Sequence, residues 1–167
     1  YLIGSGPAAA PSGALQIGRA VGTNDILSVD MGGTSFDICM VRDGEIPTTS
    51  DGWVQDERVA IKMIDIQSGG TGGGSIAWID SLGLLRVGPR SAGGDPGPAC
   101  YGKGGTEPTV TDADLILGYV PADFFLGGEI PLDEAASRKA MAKVAEPLGA
   151  SLEAAAAAVF TTANSYM

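Results

Sequence analysis

Two carboxylates, Asp30 and Asp37, bracket a pair of glycines and a pair of hydroxyls, Gly32-Gly33-Thr34-Ser35. The aliphatic run Ile26–Val29 leads in and Phe36–Val41 leads out, so the pattern predicts a strand, a tight loop and a second strand. Such a loop has what phosphate binding needs: no side chain at Gly32 or Gly33 to block close approach, unencumbered N–H groups, and hydroxyls at Thr34 and Ser35. Two carboxylates beside a phosphate would repel it. Their presence points either to a bridging cation such as Mg²⁺ or to a proton that must be moved. The structural alternative is a hairpin turn whose glycines only supply unusual torsions.

A second glycine run, Gly69-Gly-Thr-Gly-Gly-Gly-Ser75, follows another apolar stretch. Alone it is a weak signal, because no strand-to-helix crossover with a later ribose-binding acid makes it a dinucleotide fingerprint. Asp65 stands just before it, either hydrogen-bonded to loop N–H groups or serving as a metal ligand. Asp112 is a third candidate metal ligand, with a first-turn helix acid as its structural alternative. The run Gly97-Pro-Ala-Cys-Tyr-Gly102-Lys103-Gly104 nearly spells a P-loop, but Gly104 stands where Mg²⁺ needs a hydroxyl and Pro98 removes a donor. Lys103 then either faces an anion or is a solvated loop lysine.

These residues need elements to hold them. A helix is expected between Gly4 and Val21, with Pro11 moving its start toward Ser12. Val59–Ile66 reads as a largely buried strand, and Ile76–Ile79 with Leu84–Gly88 as a hairpin. Between Gly88 and Pro108 half the residues are glycine or proline, which suggests an ordered loop laid over a site. Thr111 with Asp114 suggests an N-cap for a short helix ending at Gly118, and Phe124-Phe125-Leu126 a core plug. Leu132–Leu148 is amphipathic, and Ser151 caps a last helix running to about Met167.

The totals narrow the function. With 167 residues the chain can bury one good core, so one domain is the default. A net charge of −10 argues against nucleic acid and anionic membrane partners, though not against nucleotides. No histidine is present, which excludes Ser-His-Asp or Cys-His catalysis within this chain. The cysteines, Cys39 and Cys100, are expected to be reduced thiols in a cytoplasmic protein, and Cys100 lacks a histidine partner as a nucleophile. Trp78 and Tyr101 are expected to pack. A first residue other than methionine suggests a piece of a longer protein.

Six blocks carry a resemblance: Ser5-Gly-Pro7, Asp30-Met-Gly-Gly-Thr-Ser-Phe-Asp37, Gly72-Gly-Gly-Ser-Ile-Ala77, Gly88-Pro-Arg-Ser-Ala-Gly93, Pro96-Gly-Pro-Ala-Cys-Tyr-Gly102 and Pro108-Thr-Val-Thr-Asp-Ala113. In this order the chain resembles the hydantoinase A/5-oxoprolinase family, which includes N-methylhydantoinases and acetone-carboxylase-type β subunits. The resemblance implies an α/β ribonuclease-H-like fold of the actin-like ATPase and sugar kinase superfamily, in which two domains close on a nucleotide. Residues 1–167 would be part of the second such domain, with an inserted loop at 88–108. It implies an ATP- and Mg²⁺-dependent hydrolase acting on a cyclic amide such as hydantoin or 5-oxoproline, with a hydantoinase B-like partner subunit and a possible homo-oligomer. Asp30 and Asp37 would be catalytic, and Gly32, Gly33, Thr34, Ser35, Gly72, Gly73, Gly74 and Ser75 would bind the nucleotide. Asp30, Asp65 and Asp112 would be the metal candidates. An ATP-dependent ketone carboxylase subunit and a non-catalytic nucleotide-binding or interface module are the alternatives. Gln67 departs from the family, which commonly has histidine there, and its amide cannot titrate.

Overall fold

The structure, a computed structural model, describes residues 5–54 and 57–167. The chain divides into two compact units, one formed by Tyr1–Met31 and Phe36–Gly69, the other by Gly32–Ser35 and Gly70–Met167.

In the first unit, helix α1 (Ser5–Val21) packs on the hairpin of β1 (Ile26–Met31) and β2 (Phe36–Val41). The helix starts at Ser5 and carries buried Pro11 inside it, rather than starting near Ser12. Proline there removes one N–H and kinks a helix, but burial against the sheet outweighs that local cost. The strands pair Ile26 with Val41 through Met31 with Phe36, so Ser28, Cys39 and Val41 share the buried face with Leu15 of α1 near them in the core. Leu27, Val29, Met31 and Met40 lie on the other face and are 44–59% exposed. Arg42 and Glu45 close a tight turn through two mutual backbone bonds, with Asp43 and Gly44 at positive φ. Two short ribbons follow, β3 (Thr48–Thr49) with β6 (Met63–Ile64) and β4 (Gly52–Val54) with β5 (Glu57–Val59). β7 (Gln67–Gly69) then joins β2 at the sheet edge. The expected continuous strand over 59–66 is therefore broken, and Ile61, Met63, Ile64 and Ile66 are only half buried. Four apolar residues without strict alternation have no single buried face to fix one register.

In the second unit, the hairpin of β8 (Ser75–Ile79) and β9 (Leu85–Ser91) lies on helices α2 (Val110–Ile116), α3 (Glu134–Leu148) and α4 (Leu152–Ser165). Their core is continuous: Ala77 and Val87 from the hairpin meet Val110 and Ala113 of α2, Met141 and Val144 of α3, and Ala155 and Val159 of α4. Alanine-rich α4 allows the close helix approach. Asp133 caps α3 and Ser151 caps α4 by accepting from Ala136 and Ala154 N–H groups. Arg138 ties both helices by reaching Glu134 and Glu153 at 2.9 Å each. Phe124 and Leu126 are 67% and 61% exposed, so the expected core plug reduces to Phe125, which stacks on Tyr101 at 5.5 Å. Among the described residues no helix is long and apolar enough to cross a membrane.

Candidate glycine-clamped loop site

The second unit is built around a contact between the two glycine runs. Gly73 N–H donates to Gly32 O at 3.0 Å and Gly74 N–H to Gly33 O at 2.6 Å. The approach is too close for side chains. A methyl group at Gly72 would lie 2.6 Å from Gly32 O, 2.8 Å from Thr34 N and 2.9 Å from Gly33 C, all of them backbone atoms. The second run is held in turn from two sides. Gly72 N–H donates to the buried Ser75 hydroxyl, and Gly73 O accepts from both the N–H and the hydroxyl of Thr111 at 2.8 and 2.9 Å. Ser91 Oγ reaches Gly33 O at 3.3 Å and lies 3.4 Å from Thr34 Oγ1.

The two runs differ chemically. The N–H groups of Gly72, Gly73, Gly74 and Ser75 are all committed to bonds within the clamp. Gly72–Ser75, which the resemblance casts as nucleotide-binding, have their backbone N–H groups turned to the first loop and to one another. In that loop Gly32 N–H bonds Ser35 O, whereas the N–H groups of Gly33, Thr34 and Ser35 make no hydrogen bond within the described residues. Three consecutive donors on an exposed loop of fixed shape are suited to an anion.

In the first unit, antiparallel register sets Asp30 opposite Asp37 and Asp37 opposite Ser68. Directly opposed residues share one face of a sheet with Cβ atoms about 5 Å apart. Asp30 is exposed and Asp37 half buried, and the Ser68 hydroxyl donates to Asp37 Oδ1. A carboxylate pair so placed can share a cation or a proton. It fits Mg²⁺, which takes one or two carboxylates and completes its shell with phosphate oxygens and water. Among the described residues no group of three or more His, Cys, Asp or Glu side chains converges as a ready metal site. Asp65 is exposed and, among the described residues, its carboxylate accepts one bond, at 3.3 Å from Gln67 Nε2.

Asp112, a metal candidate in the sequence, is a buried hydrogen-bond acceptor here. It is fully buried in α2 and accepts from Ala99 N, Cys100 N, Thr109 N, Thr109 Oγ1 and Ser137 Oγ at 2.6–3.2 Å. Every partner is a donor, so both oxygens are occupied in tying the 99–101 turn and α3 to α2. Thr109 is the N-cap and Asp112 the N3 acid of a full capping box, two residues before the expected Thr111–Asp114 pair. Removing the carboxylate in Asp112→Ala leaves buried donors without partners, and stability is expected to fall by about 3 kcal/mol, measured by urea denaturation. The same network disposes of Cys100 as a nucleophile. Burial, then the charge and hydrogen bond of Asp112, push its thiol up to about 12. Both cysteines are free thiols, as anticipated.

Asp114 is the unpaired acid of α2. Its Oδ1 is buried without a partner among the described residues, and desolvation raises its pKa to about 6. A folded-state pKa above the unfolded value means that stability is fully present below about pH 4 and is lost as pH rises through 6. Asp114→Asn is expected to be roughly 1–2 kcal/mol more stable than wild type at pH 8 and equal to it below pH 4, by urea denaturation at both.

Residue type alone does not mark Ser68 or Ser91, and Thr111, expected to cap α2, instead holds Gly73 O. Ser91 and Thr111 do lie inside the blocks Gly88–Gly93 and Pro108–Ala113, so motif membership was their available signal.

Fold and clamp define a class: a mixed α/β chain of small antiparallel sheets and helices that carries a glycine-clamped loop. That chain belongs to the hydantoinase/oxoprolinase family, whose model matches residues 1–167. It is 49% identical over 163 residues to the caprolactamase subunit alpha of Pseudomonas jessenii, covering 97% of this chain and 23% of that protein. It is 46% identical over 155 residues to the acetophenone carboxylase gamma subunit of Aromatoleum aromaticum, covering 90% of this chain and 21% of that one. Its structure matches that of a nucleotide-free acetone carboxylase with a TM-score of 0.88 at 34% identity, over 96% of this chain and 23% of the other. The chain thus spans less than a quarter of the length of these relatives.

Proposed function

We propose that the chain is the phosphate-handling part of an ATP-dependent enzyme that hydrolyses a cyclic amide of the hydantoin, 5-oxoproline or lactam type. The observation that carries this reading is the clamp: three adjacent uncommitted N–H groups, Gly33–Ser35, in a loop whose shape a second glycine segment fixes. Similarity to an α subunit of caprolactamase, whose name specifies a cyclic amide, supports the substrate class. ATP would supply a phosphoryl group to the amide oxygen, making the carbonyl carbon electrophilic enough for water to add; C–N cleavage would then leave an amine and an acyl phosphate, which a second water would hydrolyse to carboxylate and phosphate. Gly33, Thr34 and Ser35 donate to phosphate oxygens where negative charge accumulates, and their prior fixation removes the cost of reorganising them. Asp30 and Asp37 would hold Mg²⁺, and Ser68 keeps Asp37 oriented toward that task. Gly72, Ser75, Ser91 and Thr111 hold the loop.

The fold proposed for the whole protein is ribonuclease-H-like, with this chain in the second of two domains and a hydantoinase B-like partner subunit beside it. A second reading, ATP-dependent carboxylation of a ketone, is favoured by the 46% identity to an acetophenone carboxylase subunit. Phosphate release by the full-length protein separates them. Stimulation by a panel of hydantoin, 5-oxoproline and caprolactam supports hydrolysis, and stimulation only by a ketone with bicarbonate supports carboxylation. ATP binding with no response to either set contradicts both.

A further inference from the structure

A second concave site, of about 350 Å³, opens on the β8–β9 hairpin of the larger unit, bounded by Gly70, Thr71, Trp78, Arg86, Gly88 and Tyr166. None of these residues supplies a donor proposed above for phosphate. Trp78 and Arg86 are directly opposed in the hairpin register and therefore share a face. The indole N–H donates to Gly88 O at 2.8 Å, which fixes the ring and leaves its apolar surface, 38% of the residue being exposed, as what it can offer. Arg86 is oriented by one bond: its Nε donates to Asp80 Oδ2 at 2.8 Å. Asp80 is itself anchored by the N–H groups of Leu82 and Leu84, each at 2.9 Å. A guanidinium has five N–H donors, so this one bond leaves donors on the same rigid fork.

A held guanidinium beside two aromatic rings is suited to one kind of ligand. The fork matches a carboxylate, while indole and phenol stack on a flat ring. Among the described residues Arg86 is the one charged residue lining the cavity, which is too little for a polyphosphate. The volume lies at the low end of small-molecule sites and suits a single ring rather than a nucleotide. We propose that this cavity binds a small flat aromatic monocarboxylate, its carboxylate on Arg86 and its ring against Trp78 and Tyr166. The site adjoins the clamp through the backbone, since Gly70 and Thr71 run directly into Gly72. Binding as such does not depend on the reaction proposed above.

Calorimetric titration of the full-length protein with benzoate tests this, with benzamide as the neutral isostere. Benzoate is expected to bind at about 1 mM or tighter and benzamide at least about tenfold more weakly. Arg86→Gln should weaken benzoate about tenfold or more without changing benzamide, and Arg86→Lys, which keeps the charge but loses the fork, should weaken it by less. The lysine variant decides the matter if the glutamine variant fails to fold. Equal affinity for benzoate and benzamide, unchanged benzoate affinity in either folded variant, or no binding up to about 20 mM benzoate would overturn the proposal.

Discussion

Replacing Asp30 by alanine is expected to lower ATP turnover of the full-length protein by about 10³-fold, equivalent to about 4 kcal/mol of transition-state stabilisation, while the chain still folds. Asp30 is exposed on β1, so its loss removes no core contact, and relief of repulsion from the opposed Asp37 offsets what little is lost. Thermal melting within a few degrees of wild type together with collapsed turnover is the expected pair of results. Asp30→Asn should behave almost as badly, because a neutral amide keeps the shape but not the charge that a cation requires. Full turnover in either variant would remove Asp30 from the chemistry and leave the carboxylate row as a feature of the sheet alone.

Gly72→Ala should be nearly as damaging by a different route. The added methyl meets three backbone atoms of the Gly32–Thr34 loop at 2.6–2.9 Å, and no side-chain rotation can relieve that contact. Overpacking of this kind costs about 1–3 kcal/mol. Here the strain falls on the loop proposed to hold phosphate, so turnover is expected to drop by about 10²-fold through misplacement of its donors. Gly70→Ala is the matched control: two residues away, its methyl meets nothing within 4 Å, and activity and stability should stay near wild type. Comparable losses in both variants would show that flexibility of the glycine run, rather than contact at Gly72, is what matters.

The sequence carried the local part of this architecture well and the long-range part poorly. The β1–β2 hairpin was legible because apolar runs flank an acid, two glycines and two hydroxyls, a pattern few other elements satisfy. The caps of α3 and α4 were legible because Asp133 and Ser151 act on N–H groups three residues away. The cap of α2 was ambiguous in principle. Thr109-Val-Thr-Asp112 and Thr111-Asp-Ala-Asp114 both fit a capping box, and only burial of Val110 and Asp112 in the folded chain selects the first. The hydroxyls that complete the sites could not be found from spacing, since Ser68 reaches Asp37 across 31 residues and Ser91 reaches Gly33 across 58. Nor could composition tell that the second glycine run uses its N–H groups on the first. Glycine content marks where backbone must approach something, not what it approaches.

Gly33, Thr34 and Ser35 are proposed to hold the phosphates. Hydrogen–deuterium exchange of the full-length protein, comparing Mg²⁺-ATP with adenosine, tests it most directly. Amides in the 32–35 segment are expected to slow with Mg²⁺-ATP and not with adenosine, and this protection is expected to be lost in Gly72→Ala. Saturating nucleotide that leaves these amides exchanging freely, or that protects the 97–104 loop in their place, would contradict it.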